Sequence, residues 1–212
     1  MNRYLAFLRI AVAAAIAVAI TWQITDRIAH NVFRPAEYFA YFTIQTSILT
    51  AVVLTISGFS LLGGKTESAK LTKVRLAAAA ASIVVGIVYN LLLRDSAPSP
   101  ADGDYKWPVL PNEILHVWAP TLVFLDWLLS RNAERLRWLQ SFNVVYFPLA
   151  WLAFSVARGN LDGWWPYWFL DPTDPGGLPQ MLQYILAITV FFIAVGFALG
   201  GVNRLAIRRI SE

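Results

Sequence analysis

No cysteine occurs in the chain, which excludes disulfides, thiolate metal sites and a cysteine nucleophile and leaves the redox compartment open. Histidine is scarce, with only His30 and His116. Charge is scarce as well: 14% of the 212 residues are Asp, Glu, Lys or Arg, against ~25% in a soluble domain. The net charge of +4 is modest and gathers at one set of apolar-run ends, so nucleic-acid binding is not expected. No lysine falls deep inside an apolar run, which argues against a retinal Schiff base.

Apolar residues are abundant, at 58% of the chain with a mean hydropathy of +0.55. They fall in six long blocks, which reads as an all-α polytopic membrane protein: one six-helix transmembrane domain over residues 1–212. The helices are expected at about 4–24, 37–62, 71–93, 111–130, 139–157 and 178–202, with a kink at Pro148. The first run is too long for a signal-peptide core and has no clear cleavage site. The turn Gly63-Gly64-Lys65-Thr66 lacks the spaced first glycine of a phosphate loop. Arg9 is expected to snorkel to the interface, Asp126 to pair with a basic turn residue, and His30 to face solvent. Ala77 to Ala81 suit close helix contact. Lysine and arginine crowd the turns after helices 2 and 4 and the C-terminal tail, including Arg131 and Arg209. Both termini are therefore expected to be cytoplasmic, in a plasma membrane.

One stretch stands out. Helix 4 opens with Asn112, Glu113 and His116 on one face, inside a segment that is otherwise mostly apolar. Titratable groups in a span are expensive and usually mark function. At ~1.5 Å per residue, Thr43 lies about 9 Å into helix 2 and His116 about 8 Å into helix 4. A hydroxyl and an imidazole at matched depth can form a nucleophile and its base. Ser47 continues the Thr43 stripe, while Asn90 and Gln183 arrive at a comparable level. Glu113, Asn112 or Asn90 could orient the ring, and Gln45 or Asn90 could donate to an oxyanion. Against this, buried Thr and Ser often bond to their own helix. A metal site on His116 and Glu113 would have too few ligands, and no cofactor is expected.

Tyr41-Phe42-Thr43-Ile44-Gln45-Thr46-Ser47, Val88-Tyr89-Asn90-Leu91-Leu92, Asn112-Glu113-Ile114-Leu115-His116 and Gly163-Trp164-Trp165-Pro166-Tyr167-Trp168-Phe169-Leu170-Asp171-Pro172 occur in that order. In these motifs the chain resembles the androgen-induced and androgen-dependent transmembrane hydrolases and their bacterial six-helix relatives. The resemblance implies a threonine-dependent hydrolase of fatty acid esters of hydroxy fatty acids, with Thr43 and His116 as the essential pair. Vertebrate members carry a second histidine where this chain has Ala119. The expected partner is a membrane lipid or fatty acid ester, with lipid or small-molecule binding or transport without catalysis as the alternative.

Overall fold

The computed structural model describes residues 2–96, 102–130 and 133–208, and every regular element in them is helical. α1 is Asn2–Ala29 and α2 is Phe42–Leu62. α3 is Ala69–Val88, prolonged by a π-helical turn, Tyr89–Leu93. α4 is built of three consecutive pieces: Val109–Glu113, a π-helical turn Ile114–Trp118, and Ala119–Leu129. A 3-10 segment, Trp138–Val145, leads directly into α5, Tyr146–Asp162. α6 is Gly177–Arg208.

Several boundaries differ from the sequence reading. α1 runs past Ile24 because its polar last turns find partners: Thr25 bonds back to the Thr21 carbonyl at 3.0 Å, and Arg27 to Asp102 at 2.8 Å. α2 starts after Glu37, because Tyr41 is extended and a separate short turn, Pro35–Tyr38, precedes it. No kink forms within a continuous fifth helix. Pro148 sits in the first turn of α5, where a missing N–H costs little, and the change of helix type comes just before it. The basic flank residues Arg131 and Arg209, and the middle of the loop before α4, lie outside the described residues.

α3 is the centre of the bundle and packs against α2, α4 and α6. Ala78, Ala79, Ala80 and Ala81 are buried there, and small side chains let helices approach closely. α1 packs on α2 and α4. Five stretches are long and apolar enough to cross a bilayer: Arg3–Ala29, Phe42–Leu62, Ala69–Leu93, Trp138–Asp162 and Gly177–Ala206. Val18, Val52, Ile56, Leu186 and Val190 point outward along them. Such an apolar exterior is compatible with an integral membrane protein. The sixth expected span, α4, is interrupted by its π-helical turn.

One end of the bundle is held by a closed square of charges. Arg9 Nε meets Asp126 Oδ1 at 2.7 Å and Arg9 Nη1 meets Glu67 Oε1 at 2.8 Å. Arg75 closes the square, at 3.0 Å from Glu67 and 2.7 Å from Asp126. Ser57 and Ser130 bond into it. Arg9 is fully buried, so the expected snorkelling is corrected: two carboxylates and two serine hydroxyls are waiting for it inside. Asp126 does find basic partners, and one of them is Arg9 on the first helix. At the other end Arg27 lies in a second, smaller cluster. It pairs with Asp102, and its guanidinium sits 4.5 Å from the Trp107 ring centre.

Removing one member of a buried ion cluster strands the rest. Asp126→Ala is expected to cost about 3–5 kcal/mol, read as a lowered unfolding midpoint in detergent. Burial acts to raise the Glu67 carboxyl, but Arg75, Arg9 and the Ser57 hydroxyl outweigh it and the net shift is downward. A lowered carboxylate stabilises the fold above its ordinary value of ~4.3, and this contribution is lost as pH falls through the folded value. The stability gap between wild type and Glu67→Gln is therefore expected to be widest near neutral pH and to narrow in acid.

Candidate functional site

Tyr41 holds extended backbone at the start of α2, and its own side chain does not cap the helix. The first N–H groups of a helix need outside acceptors. Here the Tyr167 phenol oxygen lies against the backbone N–H groups of Phe42 and Thr43 and against the Thr43 side chain. Burial pushes the Tyr167 phenol up, and those three contacts pull it back only in part, so it stays protonated at neutral pH.

Thr43 and Tyr167 line an otherwise mostly apolar cleft of about 80 Å3, well above the roughly 10–15 Å3 that one water needs. Val84, Val85 and Val88 of α3 form one wall and Ile188 and Phe192 of α6 another. Leu149 and Leu152 of α5 form the third, and this wall is loosely attached. Among the described residues α5 has close backbone packing only with the 3-10 segment before it. Otherwise it is tethered by Trp151 Nε1 donating to the Ala40 carbonyl at 2.8 Å, by Arg158 donating to the Ala36 carbonyl at 2.6 Å, and by aromatic side chains. Phe147 and Trp151 meet Phe42 with ring centres 5.3 and 5.0 Å apart.

His116 lies on another face of α3. The cleft takes Val84, Val85 and Val88, whereas His116 meets Gly86 and Tyr89, whose mean direction is roughly 120° round the helix from theirs at 3.6 residues per turn. The His116 and Tyr89 rings stack with centres 3.9 Å apart. His116 Nδ1 lies 2.9 Å from the Asn112 carbonyl. A carbonyl can only accept, so Nδ1 carries the proton, and the neutral ring offers Nε2 as its free acceptor. The Asn112 side chain donates to the Tyr89 hydroxyl at 2.6 Å. Glu113 takes both Nη atoms of Arg94, at 2.7 and 3.1 Å.

Two π-helical turns meet in this cluster. Pro120 has no N–H to give the His116 carbonyl, and its ring would crowd that oxygen in a regular helix. The wider turn Ile114–Trp118 relieves the clash. Gly86 allows α3 to approach: a Cβ there would sit 3.1 Å from both the His116 oxygen and the Pro120 Cβ.

The expected site residues thus divide. Thr43 is buried in the cleft, and Ser47 is buried behind it on α2. Asn112, Glu113, His116 and Asn90 gather on the α3–α4 side, where Asn90 donates to the Gly86 carbonyl at 2.7 Å and accepts from Arg94. Thr43 and His116 share no hydrogen bond, and His116 does not line the cleft. Gln45 donates to the Phe39 carbonyl at 3.0 Å, so its amide serves the break before α2. Gln183 is exposed on the outer face of α6 and does not join the polar layer. His30 is largely exposed. The sequence motifs do not mark Tyr89 or Tyr167 as site residues, yet Tyr89 stacks on the imidazole and Tyr167 lies at the start of α2. The one signal for Tyr167 was its aromatic loop.

Comparison of the chain with protein-family models, with curated proteins and with solved structures finds no significant match in any of the three. Gly86→Leu is expected to push α3 and α4 apart at a cost of about 1–3 kcal/mol. A lowered unfolding midpoint and loss of the His116–Tyr89 stacking, followed by the histidine ring proton shifts, would report it.

Proposed function

We propose that this protein is an intramembrane hydrolase of lipid esters, with Thr43 as nucleophile and His116 as base. The observation that carries the reading is the placement of the buried Thr43 side chain at a polar point of a mostly apolar cleft whose α5 wall is loosely held. In this reading α4 is a sixth crossing, and both chain ends face the cytoplasm of a bacterial cell. An acyl chain enters the cleft sideways from the bilayer.

The chemistry follows from the side chains. Thr43 Oγ attacks the ester carbonyl carbon while His116 Nε2 removes its proton. No hydrogen bond joins the pair, so one water relays the proton, which general-base catalysis tolerates. The backbone N–H groups of Phe42 and Thr43 and the Tyr167 hydroxyl are the donors for the oxyanion. Collapse breaks the ester C–O bond, and the departing alkoxide takes the proton from His116. A second water then attacks the Thr43 acyl ester and gives its proton to His116; collapse breaks the acyl C–O bond to Thr43, whose oxygen takes that proton back as the carboxylic acid is released. The Asn112 carbonyl keeps the imidazole in the tautomer this sequence requires.

A second reading is a lipid-binding protein without chemistry. It is favoured by the meeting of Thr43 with Tyr167 and the absence of a bond to His116. Purified protein assayed on an eight-carbon p-nitrophenyl ester separates the two. Under the hydrolase reading Thr43→Ala and His116→Ala each lose about 10²–10⁴-fold in kcat, and Tyr167→Phe about 10²-fold. Wild-type rates in both Thr43→Ala and His116→Ala would overturn it in favour of binding.

A further inference from the structure

We infer that the cleft measures its guest, so that the protein selects a medium-length saturated acyl tail with its carbonyl at Thr43. The inference rests on the reading of the cleft as an acyl site, and its test includes an arm that needs no catalysis.

The cleft has a polar end and a closed end. Tyr167 and Leu170 cover the end where Thr43 lies. Val145 and Phe192 line the other end. Beyond them the 3-10 segment presses on α6 with no space to spare. A Cβ on Gly196 would lie 2.7 Å from a Val144 methyl and 2.8 Å from the Ser141 carbonyl. A tail therefore cannot continue along the bundle axis past this floor.

The length between the ends can be read from the wall helices. Ile185 to Phe192 on α6 both line the cleft, and seven residues at 1.5 Å each make about 10 Å. An extended alkyl chain with carbon–carbon bonds near 1.5 Å fits roughly eight methylene groups into that span. Among the lower lining residues Thr189 is the one with a hydroxyl, and this hydroxyl has no hydrogen-bond partner among the described residues. Its side chain is small and half-buried, so a larger residue there would shorten the usable cleft.

The experiment measures chain-length profiles twice, with purified protein in detergent. The first arm follows hydrolysis of p-nitrophenyl esters from four to sixteen carbons by wild type, Thr189→Phe and Phe192→Leu. The second uses Thr43→Ala and follows displacement of a fluorescent fatty acid by saturated fatty acids of the same lengths. The expected profile rises about fourfold per methylene up to eight to ten carbons and then stops rising. Thr189→Phe moves the maximum to shorter chains, and Phe192→Leu moves it to longer ones. Unfolding midpoints confirm that both variants are folded. No hydrolysis, together with a displacement maximum at eight to ten carbons, keeps the inference and discards the hydrolase. A flat or steadily rising displacement profile overturns the inference, whatever the hydrolysis arm gives, and so does a maximum that folded Thr189→Phe leaves in place.

Discussion

The arrangement depends on four charges that cancel one another out of reach of water. Arg9, Glu67, Arg75 and Asp126 each touch two partners of opposite sign, so none remains an uncompensated ion. Each alone would be costly to bury, and geometry this close is what makes the group tolerable. The square also sets register. Ser57 is bonded to Arg9, and Thr43 lies fourteen residues further back along α2, about 21 Å at 1.5 Å per residue. Tyr89 lies fourteen residues beyond Arg75, again about 21 Å, and His116 ten residues before Asp126, about 15 Å. Pinning three helices at one end thus sets Thr43 and Tyr89 level at the other, with His116 about 6 Å nearer the square.

From that level, α3 separates two environments. One face lines the apolar cleft with Val84, Val85 and Val88. Another carries Gly86 and Tyr89, against which the imidazole is held. The widened turn before Pro120 is the local cause of this second environment, because it makes room for a carbonyl that the proline cannot satisfy. Stacking on Tyr89 and the bond to Asn112 then fix both the plane of His116 and the position of its proton.

The helices were legible because hydropathy in blocks is a local signal. The depth argument for Thr43 and His116 used only rise per residue and the order of crossings. What stayed hidden is long-range. Arg9 and Asp126 are 117 positions apart, and nothing near Arg9 announces a carboxylate. The extension of α1 was hidden for the same reason, since Arg27 is paired with Asp102 from a distant loop. The facing of His116 toward Tyr89 also depends on how α4 is turned about its axis. A three- or four-residue spacing shows which residues share a face, not what the face looks at. Gln183 failed on that point, because equal depth does not bring an outward side chain inward.

α5 has a consequence of its own. It meets the rest of the chain through rings and through bonds near its middle and far end, with little interlocking of helix surfaces. Amides in such a segment exchange with solvent through small local openings, while those of α3 wait for the whole bundle to come apart. The protein therefore carries a soft flank on a stiff spine, and any load on its apolar exterior would act on the flank first.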